Sequence, residues 1–230
     1  MPHRGESASG ALVPIRVWDL PTRAFHWVLA LTIIGSVVSG HLDALAWHLR
    51  FGYLALGLLL FRLVWGFLGG RWSRFASFAY HPGTLVRYLR GTAHADEHLD
   101  VGHSPLGAFS VFAMLLMLAL QIASGLVADD EVSTTGPLNR YVGNAIAQMA
   151  TGWHRTGQWV LIVLITLHVG AIAFYRVRRN RNLVGPMLSG DKLLPPGTPA
   201  AADGPAAHAT ALLLAGLVAA VVGYIVSLGG

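Results

Sequence analysis

Apolar residues gather in five long blocks, residues 24–42, 48–68, 105–128, 153–175 and 206–228, with polar and turn-forming residues between them. Each block is close to the twenty or so residues an α-helix needs to cross a hydrocarbon core about 30 Å thick. None alternates with the period of two of a membrane β-strand, and their Leu, Ala and Gly content suits closely packed helices. The pattern therefore predicts an all-α integral membrane protein: a four-helix transmembrane bundle plus a fifth, C-terminal transmembrane helix.

Polar punctuation sets the expected organisation. Residues 1–14 read as a polar tail and residues 15–192 as the four-helix domain. Residues 193–205 read as a Pro/Ala/Gly-rich linker, and residues 206–230 as a C-terminal helix appended for packing or anchoring. Residues 82–91 (PGTLVRYLRG) set Leu85, Val86 and Leu89 against Arg87 and Arg90, the pattern of a short interfacial helix; residues 137–150 read as its counterpart on the opposite surface. Nothing resembles a cleavable signal peptide, so the first block is expected to be retained as a helix.

Charge orients the bundle. Arg4, Arg16 and Arg23 precede the first block, Arg71, Arg74, Arg87 and Arg90 follow the second, and Arg176, Arg178, Arg179, Arg181 and Lys192 follow the fourth. The opposite flanks are poor, residues 41–47 having no Lys or Arg and residues 129–152 only Arg140. The positive-inside rule then gives a cytoplasmic N-terminus and an outer C-terminus. A net charge of +5 and a pI near 10.1 follow from this topology and from anionic lipid, without nucleic acid.

Composition narrows the chemistry. The chain is 54% hydrophobic and 12% charged, with a mean hydropathy of +0.55 and no cysteine. Disulfides, cysteine-ligated iron-sulfur clusters and covalently attached haem are excluded. No carboxylate lies inside the five blocks, which argues against a side-chain proton relay through the bilayer.

Histidine is the metal ligand that remains. His154 and His168 lie 14 residues apart on the fourth block, close to four helical turns, so both leave one helix face about 21 Å apart. With the topology above, His26 and His168 fall at the inner level and His48 and His154 at the outer one. Two imidazoles at one level can ligate a haem iron from both sides, whereas a mononuclear zinc or copper site wants three or four protein ligands. The reading is two bis-histidine haems, set against single histidines bonded to backbone carbonyls. His41 is a rival for the outer position.

Arginine supports the haem reading. Arg62 lies 14 residues after His48, at the inner level, where a buried guanidinium needs an anion such as a haem propionate. Arg50 and Arg155 stand close to the outer histidines and either serve that haem or snorkel to headgroups. Gly35, Gly40, Gly52 and Gly57 suit either porphyrin approach or helix packing. Met114 and Met117 read as core and the tryptophans near block ends as an interfacial belt. His81, His94, His98 and His103 read as an exposed, solvated loop cluster.

These residues form a recognisable set: Val17-Trp-Asp-Leu-Pro-Thr-Arg-Ala-Phe-His26-Trp, then His48 with Gly52-Tyr53 and Leu60-Phe-Arg62-Leu-Val-Trp-Gly66, then Gly102-His-Ser-Pro105, Ala128-Asp-Asp-Glu131 and the two later histidines. Over residues 15–192 the chain resembles the prokaryotic cytochrome b561 family, which includes the cytochrome b subunits of nickel-iron hydrogenases. The resemblance implies a bacterial inner-membrane, respiratory-chain protein with two haem b, ligated by His26, His48, His154 and His168. It implies electron transfer between membrane quinone or quinol and a redox partner; with the topology above, that partner is expected to be a periplasmic dehydrogenase, hydrogenase or cytochrome c, met through the acidic Asp129 to Glu131 loop. Two other functions stay open: a self-contained superoxide- or quinol-oxidising oxidoreductase, and a non-redox membrane anchor for a soluble subunit.

Overall fold

In the computed structural model, residues 11–92, 99, 101–132 and 134–229 are described. They fold into seven helices and one two-stranded ribbon: β1 (Val13–Arg16), α1 (Leu20–His41), α2 (Leu45–Leu68), α3 (Pro82–Leu89), α4 (Pro105–Val127), α5 (Asn144–Arg178), α6 (Val184–Ser189), β2 (Asp191–Leu194) and α7 (Pro205–Ser227). Helices α1, α2, α4, α5 and α7 are long and apolar enough to cross a membrane, and they coincide with the five hydropathy blocks. Their large exposed residues, such as Leu31, Phe67, Leu116, Leu167 and Leu213, would meet lipid.

The helices start where local chemistry dictates. Asp19 caps α1, its carboxylate accepting from the Thr22 N–H, with Pro21 in the first turn. Ser104 caps α4 in the same way, followed by Pro105. The first two turns of α5 occupy the second half of residues 137–150, so the expected interfacial helix is there an uninterrupted extension of the span. With 35 residues, α5 is about 52 Å long, well beyond the hydrocarbon core. No residue there breaks the helix before Gly143, and outside lipid a helix needs no apolar composition.

Two hairpins, α1–α2 and α4–α5, meet along α2 and α4, and Leu59, Met117, Leu118 and Leu161 form the centre of the bundle. Helix α7 packs on α2 and more lightly on α1, with Val218 and Val222 facing Gly57. At its far terminus the Leu228 carbonyl accepts from Arg140.

Hydropathy did not announce the ribbon. β1 and β2 pair antiparallel, Val13 opposite Leu194 and Arg16 opposite Asp191, so residues 13 and 14 belong to a strand and not to the tail. The ribbon covers a small core of Ile15, Val17, Trp18, Trp72, Val101, Leu194 and Ala201. The stretch read as a linker lies against this core: the Ala201 N–H donates to the Arg16 carbonyl at 2.7 Å and Trp72 Nε1 to the Pro199 carbonyl at 2.8 Å. Asp203 then receives the Leu20 N–H, Arg16 and His208 Nε2. Burial pushes the Asp203 carboxyl up, but these three donors outweigh it and hold the group below its ordinary value. Beside Asp191 and Asp203, Arg16 is held more firmly protonated than usual. This end of the bundle is called the clasp end below, and the opposite one the far end.

Candidate functional site

At the far end, His48 of α2 and His154 of α5 face each other with ring centres 5.8 Å apart and planes at 83°. Each ring is held by a carbonyl of the neighbouring helix in its own hairpin. His48 Nδ1 lies 2.8 Å from the Ser36 carbonyl of α1, and His154 Nδ1 lies 2.9 Å from the Gln121 carbonyl of α4. A carbonyl only accepts, so Nδ1 carries the proton in both rings and each Nε2 keeps its lone pair.

The two halves of this site repeat one device. In a helix, the Ser36 carbonyl also serves the N–H four residues on, at Gly40, and the Gln121 carbonyl serves Gly125. A Cβ at Gly40 would stand 3.0 Å from His48 Nδ1, and one at Gly125 only 2.8 Å from His154 Cε1. Glycine at both positions lets the imidazole reach past the helix surface to its carbonyl. Of the glycines read from sequence, Gly35 instead admits Phe51, Gly57 admits α7, and Gly52 stands open.

The clasp end brings together His26 of α1, His168 of α5 and Arg62 of α2. Arg62 is 3% exposed, its guanidinium 4.6 Å from the centre of the Phe75 ring, and Nη1 has no partner. Asp19, whose charge it feels, is fully engaged elsewhere. One of its oxygens accepts from Thr22 N and Trp65 Nε1, the other from Gly70 N and Ser73 Oγ.

His103 departs from the sequence reading. It belongs to no solvated cluster: its ring lies 4.8 Å from Trp18 and 4.4 Å from Phe78, and its Nδ1 is buried without a partner. Burial, with Arg62, His168 and His26 adding to it, pushes its pKa down to about 3, so the ring is neutral. Its sequence neighbours Gly102 and Ser104 gave no sign of this, because the aromatic walls come from Trp18 and Phe78, far away along the chain. His81 is exposed and caps α3, while His94 and His98 lie outside the described residues.

The remaining candidates stay peripheral. Arg50 is exposed and stacks on Trp47 at 4.8 Å, and Arg155 is exposed. His41, also exposed, bonds the Val37 carbonyl of its own helix and meets Trp159 edge-on. Met117 packs in the bundle centre.

The donor set fits haem. Two imidazoles sharing an iron, each nitrogen about 2 Å from it, would hold their ring centres about 6 Å apart, close to the far-end spacing. Orienting the ligand through Nδ1–H is how metal-binding histidines are usually fixed. Among the described residues no group of three or more His, Cys, Asp or Glu gathers to hold a metal ion by itself.

Comparison with known proteins places these features in a family. The model of the prokaryotic cytochrome b561 family matches residues 17–190, three quarters of the chain. Among similar proteins, a "Probable Ni/Fe-hydrogenase B-type cytochrome subunit" of Bradyrhizobium diazoefficiens is 24% identical, covering 82% of this chain and 89% of that protein. The protein of that name from Cupriavidus necator is 26% identical over 81% and 90%. A "Probable Ni/Fe-hydrogenase 1 B-type cytochrome subunit" of Escherichia coli is 23% identical over 80% and 93%. The chain belongs to the prokaryotic cytochrome b561 family. It is a membrane protein of b-type cytochrome kind, and α7 lies beyond the matched region.

Proposed function

We propose that this member of the prokaryotic cytochrome b561 family carries electrons across a bacterial inner membrane through two haem b, between the quinone pool and a redox partner. The observation that carries the reading is the far-end pair, two imidazoles 5.8 Å apart with both Nδ1–H groups pinned and both Nε2 atoms left free. His48 and His154 would hold one haem, and His26 and His168 the other. When bound, each haem supplies a one-electron couple in the low-dielectric interior. The chain's own residues fix the ligand rings, exclude water with the apolar bundle and supply Arg62 against buried negative charge.

Arginine-rich flanks favour a cytoplasmic clasp end. Quinone would then approach near Arg23, His26 and Arg62. The names of the relatives support a hydrogenase as the partner, met at the far end, where the acidic turn Asp129 to Glu131 is organised by its own hydrogen bonds.

Haem stoichiometry tests the reading. Purified protein is expected to contain two haems per chain with low-spin bis-imidazole spectra. His154→Leu and His168→Leu should each abolish a different one of the two redox transitions. A ratio well below two, or an intact pair of transitions in either variant, overturns the assignment.

A further inference from the structure

We propose that His103 and Arg62 jointly bind a carboxylate of the clasp-end haem, making His103 a second, uncharged anchor of the cofactor. This rests on the reading that a haem lies between His26 and His168.

Buried donors rarely go without acceptors, because a lost hydrogen bond in a dry site is costly. Three such groups lie at the clasp end. Arg62 Nη1, His103 Nδ1 and His26 Nδ1 are all shielded and without partners. Arg62 and His103 share one wall, the Phe78 ring, at 6.0 and 4.4 Å.

Among the described residues no carboxylate answers them. Asp19 is saturated by four donors, and Asp203 is bound to Arg16, Leu20 N–H and His208. A neutral acceptor such as a quinone carbonyl would satisfy a hydrogen bond but leave the guanidinium charge uncompensated in an apolar site. A carboxylate does both. Haem brings its own carboxylates to the level of His26 and His168.

The loop that carries His103 is built to hold the ring. Val101 is buried in the clasp core, the His103 carbonyl accepts from Tyr80 Oη at 2.7 Å, and Trp18 meets the imidazole edge-on. The ring is therefore fixed independently of any ligand. With Arg62 supplying the charge, His103 contributes direction: its Nδ1–H selects where the carboxylate sits.

Both donors spread the carboxylate's negative charge away from the iron, which disfavours the ferric state. Removing His103 should lower the potential of one haem and leave the other unchanged. The test uses the full chain in lipid nanodiscs with His103→Leu and His103→Gln, each loaded with haem b or with haem dimethyl ester, whose carboxylates are blocked. Redox titration and the resonance Raman propionate bending mode are the readouts.

The expected result is that His103→Leu keeps two low-spin haems, one midpoint falls and the propionate mode moves. His103→Gln, which retains an N–H, should recover much of both. With the dimethyl ester, wild type and His103→Leu should coincide in potential. The proposal is overturned if His103→Leu loses a haem or turns one high-spin, which would make His103 an axial ligand. It is also overturned if potentials and the propionate mode stay unchanged, or if the same shift persists with the ester. Should His103→Leu fail to fold, the wild type alone decides. Esterification removes the carboxylate charge that favours the ferric state, so it raises the two midpoints by different amounts if the proposal holds, and shifts both equally if it does not. Wild-type protein with a single haem would overturn the underlying reading, a result separate from all of these.

Discussion

Substituting Gly125 by Ala tests whether the far-end ligand is positioned as described. The new Cβ would lie 2.8 Å from His154 Cε1 and 3.1 Å from Nδ1, against an ordinary carbon contact of about 3.5 to 4 Å. The ring must retreat by roughly 0.7 Å or more, which stretches the 2.9 Å bond to the Gln121 carbonyl past a useful length. Losing that bond costs about 1 kcal/mol and forcing the ring off its rotamer about another 1 kcal/mol. The sum, about 2 kcal/mol, corresponds to roughly 30-fold weaker haem binding. In contrast, Ala in place of Gly inside a helix gains up to about 1 kcal/mol. The two effects separate in experiment: far-end haem retention should fall and its low-spin EPR signal shift, while the apoprotein in detergent unfolds no more easily than wild type. Gly52→Ala, where a Cβ meets nothing within 4 Å, is the control and should leave haem untouched. Full retention of both haems with unchanged EPR in Gly125→Ala would refute the positioning argument.

Two further outcomes follow from the clasp and from the composition. Asp203 titrates below its ordinary value of 3.8, so the stability it contributes is complete above that pH and is lost as pH falls through the depressed value. Protection of the Leu20 and Ala201 amides, relative to the unstructured rate at each pH, should hold from neutrality down to about pH 4 and fall below it, whereas Asp203→Asn should show weaker protection already at pH 7. Because the chain has no cysteine, single cysteines at Ser77 and Val132 can report sidedness without background. A membrane-impermeant maleimide added to intact cells should label the residue at 132 and spare that at 77, and the opposite pattern would reverse the orientation.

Much of this was legible because a membrane punishes exceptions. The spans follow from apolar length alone, and four histidines and one arginine stand out in lipid because each needs a partner. What escaped notice lies outside the hydrocarbon or depends on contacts remote in sequence. The first turns of α5 carry Asn144, Gln148 and Thr151 and show no hydropathy signal, yet nothing there interrupts helical hydrogen bonding. Strands of four residues are too short for a period, and β1 finds its partner about 180 residues later. The four donors around Asp19 could not be read from its neighbours, because Trp65 of α2 and Gly70 and Ser73 just after that helix complete its shell. Gly125 went unremarked because its role exists only once His154 has been brought beside it.

The far-end arrangement also bears on assembly. His48 is anchored to its own hairpin partner α1, and His154 to its own partner α4, so neither ring relies on the opposite hairpin for its orientation. Each hairpin arrives as a half-socket with its ligand rotamer already frozen. Joining the halves then requires little further loss of side-chain freedom. A haem held between the two rings, as proposed, would act as a bolt between prefabricated parts, and its departure would unfasten the hairpins at this end without unwinding either one.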